Sequence, residues 1–171
     1  MELNKKMEKY LNKLAKTNEN QIAFGLTLGL SVEGLTVRVA LAMIHDFIYE
    51  NFEGVELKEP TDKQIKFGEK FGFDFSNMSK NVAFAYITDL LEALNLKSIE
   101  EQNIKHGDHV INKHDKAKTI YVISSISKDG HLYFKKDNEN KCCKGAARYM
   151  IKINKNLIYD IFKKYREVEM V

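Results

Sequence analysis

The chain has 171 residues, 44% of them hydrophobic and 30% charged, a balance that suits a globular core and excludes a disordered or low-complexity chain. Its longest uncharged run, residues 20–32, is too short to span a bilayer, and one proline among nine glycines leaves no proline- or glycine-rich linker. The two cysteines, Cys142 and Cys143, are neighbours, which excludes a disulfide framework; no apolar signal core follows Met1-Glu2-Leu3, so a cytoplasmic setting is expected.

The first predicted element is an amphipathic helix within residues 1–17. Leu3, Met7, Tyr10, Leu11 and Leu14 fall on one stripe, and Lys5, Lys6, Lys9 and Lys13 fall largely elsewhere. The stripe either closes the following helices or forms a homodimer seam, and closure is the favoured reading because a short bundle needs the cover.

Sliding the chain on itself by 43 residues then reveals an internal repeat. Ten of 30 positions are identical between residues 21–50 and 64–93, without a gap. Gln21-Ile22-x-Phe24-Gly25 aligns with Gln64-Ile65-x-Phe67-Gly68, Gly29 with Gly72, and Val39-Ala40-x-Ala42-x-Ile44-x-Asp46 with Val82-Ala83-x-Ala85-x-Ile87-x-Asp89. Each copy, residues 18–54 and 60–97, reads as helix, turn, helix. Asn18 and Thr61 cap the first helices, with Thr61-x-x-Gln64 a capping box. Gly29 and Gly72 end them, Thr36 and Ser79 cap the second helices, and small residues there permit close backbone approach. Asp46 and Asp89 either cap a neighbouring helix or touch a partner, and the structural reading is favoured because one carboxylate per copy makes no acid–base pair. The pattern from Thr61-Asp62-Lys63-Gln64 through Phe71-Gly72 to Val82-Ala83-x-x-x-Ile87 resembles small helical modules appended to phage and plasmid proteins that handle DNA. The resemblance implies a mobile-element origin.

After residue 101 the charge reverses. Residues 1–101 carry 12 Lys+Arg against 16 Asp+Glu; residues 102–171 carry 15 against 8. The hydrophobic period also falls to two. Strands are expected from His106 to Ile111, Thr119 to Ile126, His131 to Lys135 and Arg148 to Ile153, with a hairpin turn at Lys128-Asp129-Gly130. Gly107-Asp108-x-Val110, Tyr121-Val122-Ile123-x-x-Ile126 with Leu132-Tyr133-Phe134, and Arg148-x-Met150-Ile151-Lys152-Ile153 resemble the SH3-like small barrels, KOW- and Tudor-type domains among them. That resemblance covers residues 102–154 and implies binding rather than catalysis. Alternation places Leu132, Phe134, Tyr149, Ile151 and Ile153 inside, and His131, Tyr133, Lys135, Arg148, Met150 and Lys152 outside. Tyr133, Lys135, Lys136, Lys144, Arg148 and Lys152 are therefore the candidate binding residues: an aromatic plane for a base, with cations for phosphate. The competing reading is an ordinary solvated surface. A last helix, residues 155–171, carries the stripe Leu157, Ile158, Ile161, Phe162 and Tyr165.

No catalytic or cofactor signature accompanies these elements. There is no P-loop, dinucleotide fingerprint or serine elbow. His106, His109 and His114 lack a Cys-x-x-Cys knuckle to share a zinc ion with, because adjacent Cys142 and Cys143 diverge on a strand. His131 is a candidate base for a cysteine nucleophile, but nothing in the sequence fixes it. The expected protein is α+β and non-enzymatic: two tandem helix-turn-helix repeats, an SH3-like β-barrel and a C-terminal helix, without metal or cofactor. Its expected partner is DNA, RNA or a nucleoprotein, and not a membrane. The alternatives are an anti-CRISPR-type inhibitor that contacts a nucleoprotein nuclease complex, and an oligomeric scaffold.

Overall fold

The computed structural model describes residues 2–136 and 141–154, with side chains from Met7 onward. The expected C-terminal helix lies outside the described residues. The fold is α+β, and the chain divides into two compact units, residues 1–93 and 94–171, at a point inside its longest helix.

The first unit is helical: α1 (Glu2–Leu11), α2 (Glu19–Thr27), α3 (Val37–Phe52), α4 (Asp62–Glu69) and the start of α5 (Lys80–Gln102). Met7 and Tyr10 of α1 are buried, and Leu11 packs against Phe75, Ala83 and Leu90, so these three residues of the N-terminal stripe cover the interior of the helical unit. Asn18 and Thr61 both form capping boxes with the glutamine three residues on. Both short helices close in the same way. Leu30 N–H donates to the Gly25 carbonyl and Phe73 N–H to that of Gly68, with Gly29 and Gly72 left-handed at φ 76° and 77°. Gly25 and Gly68 are buried because Val32 and Phe75 press on them; a Cβ at either would lie 2.7 Å from that side chain.

α3 and α5 meet through Val39, Ala42, Val82 and Ala85, joined by Leu35, Met43, Met78 and Tyr86. These are four pairs of positions 43 apart. The capping also crosses between the helix pairs. Thr36 caps α3 and donates its hydroxyl to buried Asp89, while Ser79 caps α5 and donates its hydroxyl to buried Asp46. Each aspartate thus fixes the start of the other pair's long helix, the structural role expected for it.

The second unit holds the C-terminal part of α5 and an antiparallel sheet: β1 (His109–Asn112), β2 (Ile120–Ile126), β3 (His131–Lys136), β4 (Cys142–Ala146) and β5 (Met150–Ile153), in the order β4-β3-β2-β1-β5. Val110, Ile123, Leu132, Phe134, Ala147 and Met150 form its core with Ile104, and Ile99 packs against them. The sheet is open among the described residues, not the closed barrel expected, because β4 and β5 are edges. It is nevertheless strongly curled. Only three residues separate Ala146 from Met150, four steps with a reach of at most about 14 Å, whereas those edges of a flat five-stranded sheet stand about 19 Å apart. The linking 3-10 turn, Ala147–Tyr149, spends its backbone elsewhere: Ala147 N–H donates to the Gly130 carbonyl and its carbonyl accepts from the Ser98 hydroxyl.

Candidate nucleic-acid interface

The face of the sheet turned away from its core is assembled by register. Ser127 and Asp129 hold the β2–β3 turn. The Ser127 hydroxyl donates to the Asp129 carboxylate, the His131 imidazole lies 2.9 Å from that carboxylate, and Gly130 adopts φ 75°. Burial pushes the Asp129 carboxyl up, but its bonds to Ser127 and His131 outweigh this and hold it below the usual range. From this anchored turn β3 alternates as expected: Leu132 and Phe134 are buried, while His131, Tyr133 and Lys135 take the other face.

Across the β3–β4 ladder Tyr133 pairs with Lys144 and Lys135 with Cys142. The Lys144 ammonium lies 5.7 Å over the Tyr133 ring. Lys135 and Lys144 are exposed, and neither has a carboxylate within ion-pair distance among the described residues. The structure therefore brings three of the six expected residues together. Lys136 shares the parity of Leu132 and Phe134 and pairs with Tyr121, a core neighbour, so it projects from the opposite face at the strand's end.

The last two expected residues are employed structurally, and the alternation read into the final strand is corrected. Met150 is buried at 3% exposure, whereas Tyr149 and Ile151 are 38% and 43% exposed, the reverse of the expected phase. The 3-10 turn causes the reversal, since three residues at a period near three shift the strand that follows. Lys152 consequently falls on the core-face parity, opposite buried Val110. Its ammonium sits 2.8 Å from Asp108 and donates to the Asn103 carbonyl. Burial pushes the Asp108 carboxyl up, but the Lys152 ammonium and the Lys105 N–H bring it below its ordinary value. Arg148 donates from Nη1 and from its backbone to the amide oxygen of buried Asn95.

A second aromatic–cation cluster escaped the sequence reading. The Arg148 guanidinium lies 4.5 Å over the Tyr149 ring, Lys113 Nζ 5.4 Å from it, and the His114 ring 5.2 Å away edge-on. The signal was present in the adjacent Arg148-Tyr149 pair, but strict alternation had placed the tyrosine inside. The β1–β2 loop carries Lys113, Lys116 and Lys118, and it lies at the same end of the sheet as Lys135, Lys136 and Lys141, because Ile111 pairs with Ile120 and Tyr121 with Lys136. Asp115 in that loop turns its carboxylate onto the Thr119 and Ala117 N–H groups. That end of the sheet is thus rich in positive charge.

His131 pairs with Ala146 and Cys142 with Lys135, four residues apart along the strand, or about 13 Å. His131 is therefore no base for that thiol. No three His, Cys, Asp or Glu side chains converge on a metal-sized space among the described residues. No described helix is long and apolar enough to cross a membrane. Compared with known proteins, the chain matches no protein family, no curated protein and no solved structure.

Proposed function

We propose that the protein is a non-catalytic nucleic-acid-binding protein that takes single-stranded DNA or RNA on the outer face of its C-terminal sheet. The observation that carries the reading is the Tyr133 ring with the Lys144 ammonium 5.7 Å above it and, beside it, Lys135, which has no ion pair among the described residues. A base stacks on such a ring whatever its sequence, and the ammonium groups neutralise the flanking phosphates. Lys113 beside Tyr149 extends the same chemistry to the β5 edge. The SH3-like reading of this unit is supported by its curl and by the last strand returning to pair with the first. The reading of residues 18–97 as tandem helix-turn-helix modules is supported by the matching caps and glycines 43 residues apart.

Fluorescence anisotropy with labelled 20-nucleotide single strands tests the proposal. Affinity is expected to fall as salt rises, and to drop by about tenfold or more in Tyr133→Ala/Lys135→Glu, the loss of one stacked base being about 1–3 kcal/mol. Unchanged affinity in that variant refutes this face. Binding to an assembled nuclease complex but to no bare strand refutes the proposal in favour of an inhibitor acting by protein contact.

A further inference from the structure

The two buried aspartates of the helical unit occupy equivalent positions, 43 residues apart, yet only one has a counter-charge among the described residues. Asp89 (2% exposed) accepts from the Thr36 hydroxyl and from Arg38, whose second guanidinium nitrogen lies 2.6 Å from Glu92. Asp46 (6% exposed) accepts from the Ser79 hydroxyl and, at 2.9 Å, from the Asn81 amide. Asn81 stands where Arg38 stands in the other pair, and Tyr49 stands where Glu92 stands. No cation among the described residues lies within 4.0 Å of Asp46. A buried carboxylate held only by neutral donors is electrically unbalanced.

The space that Arg38 fills beside Asp89 is open beside Asp46. A cavity of about 460 Å³ is lined by Asp46, Asn81, Tyr49, His45 and Phe84. The His45 and Tyr49 rings lie with centroids 4.0 Å apart and their planes tilted by 53°, and Phe84 is 62% exposed at the rim. A short amide in place of an arginine leaves this room, and an aromatic ring in place of a glutamate supplies a surface on which a planar cation stacks.

We propose that this cavity receives a guanidinium group from outside the chain, which donates to Asp46 as Arg38 Nη1 does to Asp89 and packs against Tyr49, which stands in the place of Glu92. The inference concerns the helical unit and stands independently of the sheet-face reading. The guanidinium comes either from a partner polypeptide or from free arginine, whose carboxylate Lys58 and Lys80 at the cavity wall are able to meet.

The test is an NMR titration of the full chain with Nα-acetyl-arginine amide, free arginine and Nα-acetyl-citrulline amide, which is neutral and of the same shape. Both arginine compounds are expected to shift the Tyr49 and Asn81 amides, and the citrulline compound to leave them in place. Free arginine binding tenfold tighter than the blocked amide identifies a small-molecule site; equal binding identifies a side-chain receptor. Asn81→Arg supplies the guanidinium from within, so this variant is expected to lose binding at least tenfold while its thermal midpoint rises. Equal shifts from the citrulline compound, or wild-type binding by Asn81→Arg, overturn the proposal.

Discussion

Replacing Asp89 with asparagine removes one charge from a buried site. The carboxylate accepts from the Thr36 hydroxyl and from Arg38. A hydrogen bond to a charged group is worth about 1.5–3 kcal/mol and a neutral one about 1. Asparagine keeps at best one acceptor bond and turns an NH2 group toward a donor. Arg38 limits the damage, because its side chain is 39% exposed and retains Glu92. The expected cost is about 2 kcal/mol, a fall of about 4–8 °C in the thermal midpoint for a chain of this size. Asp46→Asn faces only a hydroxyl and an amide, and its expected cost is about 1 kcal/mol. Thermal and urea unfolding followed by circular dichroism compare the two directly. If Asp46→Asn proves as damaging as Asp89→Asn, the Arg38 pair is not what separates them and the reasoning fails.

Other substitutions probe the remaining contacts. A Cβ on Gly68 meets the Phe75 ring at 2.7 Å and the Phe73 carbonyl at 2.9 Å, so Gly68→Ala is expected to cost about 2–3 kcal/mol by urea denaturation. Gly107→Ala enters open space at φ 82° and is expected to cost only about 1 kcal/mol, the strain of a left-handed alanine. Leu132→Ala empties a fully buried position in the sheet core and is expected to cost about 2–5 kcal/mol. Asp108 and Asp129 both have folded values below the ordinary carboxylate range, so the stability they add is present above about pH 3.9 and is lost as pH falls through their folded values. An acid titration monitored by near-ultraviolet circular dichroism is expected to show the wild type outlasting Lys152→Met, which lacks the ion pair to Asp108.

Local rules carried the sequence reading where each residue acts through its own backbone. The Asn18 and Thr61 caps, the Gly29 and Gly72 turns, and the hydroxyls of Thr36 and Ser79 stand where their residue types require. The crossed aspartates were legible because the 43-residue register marked both at once. The sheet was harder. β4, with its sequence Cys-Cys-Lys-Gly-Ala, has no β-branched residue to announce a strand, and Gly145 is suited to it because the Phe134 ring would stand 3.0 Å from a Cβ there. The phase of β5 was invisible because a 3-10 turn has neither the helical nor the strand period. The candidate site divided accordingly: Tyr133, Lys135 and Lys144 lie on uninterrupted strands, while Arg148 and Lys152 lie in or beyond the turn.

The sheet's positive groups thus belong to two classes that composition cannot tell apart. Arg148 and Lys152 are tied into the unit by Asn95, Asp108 and Asn103, so exchanging them alters the architecture as well as the potential. Among the described residues Lys135 and Lys144 have no ion pair, and Lys144 lies over the Tyr133 ring. Their sign is free to drift, or to be engineered, over a wide range while the scaffold beneath stays the same.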